Sequence, residues 1–212
     1  MPETRSVVFV HGLWMTGMEA TLFRHRLAPH GYAVRQFHYH SLSAAADTVL
    51  DALRAEVLAQ PAPVHLIGHS LGGLIVLRLL ERHPDLPVGR VVLLGAPVNG
   101  SQAAQGFMRL PGAPWLFGPM AGEELLAAAP RAWRHPAALG VIAGTHSLGL
   151  GRLVGSLSGP NDGTVAVEEA RLDGATDTLL LPVSHVGLLL SEAVVEATAC
   201  FLQHGAFSAT GP

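Results

Sequence analysis

The sequence predicts an α/β fold: a mostly parallel sheet covered by helices on both faces. Three observations predict it. Six short apolar runs rich in β-branched residues recur along the 212 residues, bounded by glycine or proline. Each run is apolar on both faces, as strands inside a parallel sheet must be. Longer segments with helical spacing lie between them, and such alternation is what crossover connections of a parallel sheet require.

The elements follow in order. Val7–Val10 is the first strand and runs straight into His11-Gly12. Ala33–Phe37 is the second. Ser43 can cap a helix that reaches Ala59, with Val49, Leu50, Leu53 and Val57 on one face. Val64–Ile67 is the third strand, and Leu71–His83 is a helix that Pro84 stops. Arg90–Leu94, Leu139–Ala143 and Thr178–Leu181 complete the set of strands. Ser191–His204 is the last helix, with Val194, Val195, Thr198, Phe201 and Leu202 as its apolar stripe and Gly205 at its end. A single domain over 1–212 is expected.

Gly100 to Pro136 breaks the rhythm. It carries Pro111, Pro114, Pro119 and Pro130 among Phe107, Met108, Trp115, Leu116, Phe117 and Met120. The stretch is too long for a simple connection and too apolar for a solvated loop. Two readings stand: an ordinary pair of packing helices, or a small cap or lid over a site.

Composition removes several classes. Hydrophobic residues are 49% of the chain and charged residues 14%, with a mean hydropathy of +0.36, so the chain is not disordered. A net charge of −3 and a pI of about 6.4 give no field for tracking phosphates, and no nucleic-acid partner is expected. Cys200 is the one cysteine; it makes no internal disulfide and no cysteine-ligated zinc site. The longest uncharged run, Val57 to Leu77, is punctuated by Pro61, Pro63, His65 and His69 and suits strand, turn and helix, not a membrane span. No signal peptide is evident. These features read as a soluble, cytoplasmic protein.

The sharpest chemical signal is Gly68-His69-Ser70-Leu71-Gly72-Gly73, set between a strand and a helix. A chain reversing sharply from strand into helix strains the backbone of the serine and tolerates no bulk at the flanking glycines. The Ser70 hydroxyl is then held clear of the sheet at a helix N-terminus, where developing negative charge is favoured. A nucleophilic serine needs an oxyanion hole. Leu71 can donate its backbone N–H, and the loop after Val7–Val10 can supply a second donor, Leu13, with Trp14 as the alternative. His11 reads as structural.

The serine also needs a base and an orienting carboxylate. Twelve histidines make a lone histidine uninformative. His185 is singled out because it follows the last strand and precedes the last helix. In a parallel sheet its loop opens on the same edge as Ser70, the edge where ligands bind. Asp162, in Gly159-Pro160-Asn161-Asp162-Gly163-Thr164, occupies another turn-rich loop before that histidine. Asp173 and Asp177 lie at the wrong end of the last strand, and Glu168 and Glu169 read as exposed charges of a helical turn.

The whole chain resembles the α/β-hydrolase superfamily, and within it small bacterial lipases and esterases, including the branch related to GPI-inositol deacylases. VVFVHGLW resembles the oxyanion segment, GHSLGG the nucleophile elbow, LLGAPVNGS the strand and loop that often read T-P-x-x-G-S, and NDGTV and SHVGLLLS the acid and histidine segments. The order Ser70, Asp162, His185 is the nucleophile–acid–base order of that superfamily. Ala96 stands where many of these lipases have threonine, and nothing before Val7 could form a leading antiparallel hairpin. The resemblance implies a minimal α/β-hydrolase fold and a serine hydrolase of carboxylic esters that needs no cofactor and no metal. The apolar 100–136 segment, with Trp115 and Phe117, and Trp14 beside the oxyanion loop suggest an acyl pocket for lipid-like or medium-chain esters. Thioester hydrolysis or acyl transfer would use the same residues, and a non-catalytic binding module could keep the same fold. The expected partner is thus a small ester or lipid.

Overall fold

All six expected strands form, and they form one sheet. They are β1 (Arg5–Val10), β2 (Tyr32–Phe37), β3 (Val64–His69), β4 (Val88–Leu94), β5 (Ala138–Gly144) and β6 (Asp177–Leu181). The computed structural model describes residues 5–16, 18–109, 114–126, 131–148 and 157–208. Strand order is β2-β1-β3-β4-β5-β6, and every pairing is parallel. Each strand's C-terminal end therefore opens on one edge.

The helices are α1 (Thr21–Leu27), α2 (Ala46–Leu58), α3 (Leu71–Arg82), α4 (Gln102–Met108), α5 (Pro114–Leu126), the one-turn α6 (Val167–Ala170) and α7 (Gly187–Leu190), and α8 (Glu192–His204). They make two layers. Val8, Val10, Leu66, Leu93 and Val141 turn toward α2, α3 and α5. The alternate residues Val7, Phe9, Ile67, Val92 and Ile142 turn toward α1 and α8. That alternation explains the apolar runs of the inner strands β1, β3, β4 and β5, whose two faces are both core. The expectation of two buried faces is corrected for the edge strands β2 and β6, which expose Ala33, Arg35, Thr178 and Leu180 because no strand or helix layer encloses them fully at the ends of the sheet. The buried stripe of α2 is Val49, Leu50, Leu53 and Val57, and that of α8 includes Val194, Val195, Thr198, Phe201 and Leu202, as the spacing predicts.

One helix start differs from expectation. Ser43 does not cap α2. The helix begins after Ala45, which lends no side-chain bond, because the amides of Ser43 and Ala44 instead close a turn onto the His40 carbonyl. Ser191, read as the first residue of the last helix, sits at the N-cap of α8, one residue before Glu192. At the other end Gly205 takes the left-handed conformation, φ 81°, and stops α8.

The order β2-β1-β3 sets the site. The chain leaves β1 toward one side and β3 toward the other, so the loops beyond their C-terminal ends diverge and open a crevice. Val10 pairs with Gly68 at that point. The 100–136 stretch forms α4 and α5, separated by residues outside those described. Ser101 caps α4 by accepting the Ala104 N–H. α5 is kinked at Gly118, φ 68°; a side chain there would lie 2.2 Å from the Leu42 carbonyl oxygen. Glu124 is buried and anchors α5 to the main body through Arg78 of α3 and through Arg131.

Candidate active site

Ser70 stands between β3 and α3 with φ 53° and ψ −124°, the left-handed backbone of a residue under strain. The glycines around it are obligatory. A Cβ at Gly72 would lie 2.1 Å from the Val10 carbonyl oxygen, one at Gly68 2.5 Å from Gly73 Cα, and one at Gly73 2.5 Å from Ala96 Cβ. The Ser70 amide donates to the Leu94 carbonyl at 2.9 Å, which ties the turn to β4. Leu71 is the first residue of α3, a position whose N–H has no acceptor inside its own helix.

The loop after β1 passes close by. A Cβ at Gly12 would lie 3.0 Å from Ser70 Cβ. The Trp14 amide donates to Ser41 Oγ at 3.3 Å, so the alternative oxyanion donor already has an acceptor, while Leu13 lines the same pocket as Ser70. His11 anchors the loop. Its ring stacks on Tyr39 with centroids 4.3 Å apart, its carbonyl accepts the Tyr39 hydroxyl, and burial pushes that hydroxyl's pKa up.

Asp162 and His185 meet across two loops. His185 Nδ1 is 2.7 Å from Asp162 Oδ2, with the side chains 12% and 1% exposed. The carboxylate can only accept, so Nδ1 carries the hydrogen and Nε2 presents its lone pair. The other oxygen, Oδ1, accepts the amides of Thr164 at 2.9 Å and Val165 at 2.7 Å. The main chains join as well, His185 N–H donating to the Asp162 carbonyl at 2.9 Å. Gly95 and Gly144 make room for the pair. A Cβ at Gly95 would lie 3.1 Å from Asp162 Oδ2 and 3.2 Å from His185 Nδ1, and one at Gly144 2.8 Å from Asp162 Cβ.

Ser70 and His185 line one cavity of about 220 Å³. Its walls are otherwise largely apolar, supplied by Leu13, Trp14, Ala104, Phe107, Phe117 and Leu125. Trp14 is 42% exposed at the cavity, and its ring meets those of Phe107 at 6.2 Å and Phe117 at 5.6 Å. Of the three residues named for substrate contact, Phe117 and Trp14 line the cavity. The Trp115 side chain lies outside the described residues. Phe107 is a wall residue that the sequence reading did not single out; its place on α4, opposite Phe117, depends on how the two helices pack.

Of the two rival aspartates, Asp177 is engaged elsewhere. Asp177 accepts the amides of Thr178 and Phe207 at the start of β6. Glu168 is exposed, as expected. Glu169 is not: it is 6% exposed and accepts the amides of Ala166 and Gln102, and burial raises its pKa. The expectation of a solvated charge is therefore corrected; α4 covers Glu169 and uses it as an anchor. Among the described residues no group of three or more histidines, cysteines or carboxylates could hold a metal ion, and no helix is long and apolar enough to cross a membrane.

A sequence model of the Alpha/beta hydrolase family matches residues 7–200. The chain belongs to that family. No curated protein matches it in sequence. Among solved structures it resembles mature Bacillus licheniformis lipase BlEst2, with a TM-score of 0.74 at 21% identity over 97% of this chain and 94% of that one. It also resembles the metagenomic carboxyl esterase MGS0156, TM-score 0.64 at 20% identity, covering 87% and 65% of the two chains. Phospholipase PlaB from Legionella pneumophila gives a TM-score of 0.67 at 15% identity, covering 95% and 57%. At these identities the likeness is one of fold.

Proposed function

We propose that the protein is a serine hydrolase of carboxylic esters, with Ser70 as nucleophile, His185 as general base and Asp162 as the orienting acid. One observation carries the reading: the Asp162–His185 hydrogen bond of 2.7 Å beside an apolar cavity that Ser70 also lines. Ser70 Oγ attacks the ester carbonyl carbon while its proton passes to His185 Nε2. Asp162 holds Nδ1–H and stabilises the imidazolium. The Leu71 and Leu13 amides receive the oxyanion. The tetrahedral intermediate collapses, the alcohol leaves with the proton from His185, and water then hydrolyses the acyl-enzyme by the same steps.

The substrate we propose is a lipid-like or medium-chain ester. The cavity's 220 Å³ is below the ~300–1,000 Å³ typical of drug-sized ligand sites; it suits one acyl chain and not a whole lipid. We assign the 100–136 segment as a small cap, since α4 and α5 supply Ala104, Phe107, Phe117 and Leu125 to the wall. The fold neighbours named as a lipase, a carboxyl esterase and a phospholipase support the ester class. The test is turnover of p-nitrophenyl esters from acetate to laurate. Turnover that rises beyond acetate into the medium chains and vanishes in Ser70→Ala is expected. A preference for acetate with nothing beyond butyrate contradicts the pocket assignment, and wild-type turnover by Ser70→Ala contradicts the nucleophile.

A further inference from the structure

His69 is the residue of the elbow to which the mechanism gives no task. It is 1% exposed, it ends β3, and it pairs with Leu94 of β4, so it sits on one of the most firmly held strands of the sheet. Its Nε2 is 3.2 Å from the carbonyl oxygen of His185, and the two rings lie 4.7 Å apart. A carbonyl oxygen only accepts, so Nε2 carries the hydrogen and donates it. Nδ1 is then a bare acceptor. It is buried without a partner, on the side facing the loop after β1, where a Cβ at Gly12 would lie 3.3 Å from it.

We propose that His69 is a positioning residue for His185: it locks the main chain of the base to the strand that carries the nucleophile. The inference rests on the hydrolase reading above and deepens it. The His185 main chain is held on both sides of its Cα, its N–H by the Asp162 carbonyl and its carbonyl by His69. The first bond joins the base to the acid, and the second joins it to the residue beside Ser70. The spacing between nucleophile and base is thereby set by a rigid strand, not by the loop after β6 alone. Such spacing matters because a displacement of about 1 Å at reacting groups can cost 100-fold in rate. Burial, with the adjacent His185, holds the His69 pKa well below the ordinary histidine value, so His69 stays neutral and places no like charge beside the imidazolium that forms in the reaction.

The test compares His69→Leu, which removes the donor at similar bulk, with His69→Gln, whose side-chain amide can reach the same carbonyl. In steady-state hydrolysis of a p-nitrophenyl ester, His69→Leu is expected to lower kcat by about 10- to 100-fold with KM changed by no more than about twofold, and His69→Gln to recover most of the loss. Nitrogen-15 shifts of the wild-type imidazoles give a second readout that needs no variant: His69 should hold the Nε2–H tautomer from mildly acid to alkaline pH. Wild-type kcat in both variants, equal losses in both, or a wild-type His69 bearing its hydrogen on Nδ1 overturns the proposal. If His69→Leu does not fold, the tautomer and the His69→Gln kinetics decide. Failure of the hydrolase reading itself would be visible earlier, as absence of Ser70-dependent turnover in the wild type.

Discussion

Asp162 uses its two oxygens for different jobs, and that division yields a sharp prediction. Oδ1 takes two amides of its own loop, while Oδ2 faces His185. In Asp162→Asn the carbonyl oxygen keeps the two amides, so the NH2 group must face His185 Nδ1. Two donors then oppose each other, His185 turns to the other tautomer, and its lone pair leaves Nε2. We expect kcat to fall by about 10⁴-fold with circular dichroism unchanged. A loss below about tenfold would remove Asp162 from the orienting role. Ser70, Asp162 and His185 can be singled out from sequence because the chemistry demands those residue types on loops at one sheet edge. His69 and Glu169 cannot. One occupies the unconstrained position of the elbow and the other follows an exposed glutamate, and the task of each depends on a partner 116 or 67 residues away.

At the scale of elements, the glycines of the elbow are the critical feature. Gly72→Ala pushes a methyl group to 2.1 Å from a backbone oxygen of β1, with no flexible side chain to yield. It should cost about 3 kcal/mol, the upper end for overpacking, or abolish folding, read from the urea midpoint. Gly122→Ala, on α5, meets nothing within 4 Å and should stabilise by roughly 0.5–1 kcal/mol. Equal effects of the two substitutions would contradict the packing described. The four inner strands are legible because burial on both faces demands continuous apolar runs, and the stripes of α2 and α8 because one helix face must be core; the edge strands β2 and β6 are half-exposed and are legible only by their β-branched and apolar composition. Helix starts are less legible. Ser43 has the chemistry of a cap, but its amide is drawn into a turn onto His40. At the kink of α5, Gly118 leaves no room for a side chain beside the Leu42 carbonyl, a neighbour that no local pattern reveals.

For the whole molecule, buried neutral histidines predict how stability responds to acid. Burial, reinforced by Arg90 and Arg5, lowers the His65 pKa to about 4, and its Nδ1 accepts the Arg90 amide. The unfolded chain takes up this proton near pH 6.5 and the folded chain only near pH 4. The stability contributed by keeping His65 neutral is therefore full above about pH 7, falls as pH drops through that window, and levels off below it. The His65 contribution is roughly 2–3 kcal/mol, and His69 acts in the same direction. His65→Gln keeps an acceptor and cannot titrate, so its Tm should fall less than that of the wild type between pH 7 and pH 4.5. Parallel falls would assign the acid sensitivity to other groups. The sheet order contributes at this scale too, since the divergence of β1 and β3 opens the crevice in which distant loops converge. The measurement that bears most directly on the whole account is labelling by a fluorophosphonate, followed by mapping of the adduct. A stoichiometric adduct on Ser70, formed by the wild type and suppressed in His185→Ala, is the predicted result; an unlabelled protein, or an adduct on another serine, would contradict the account.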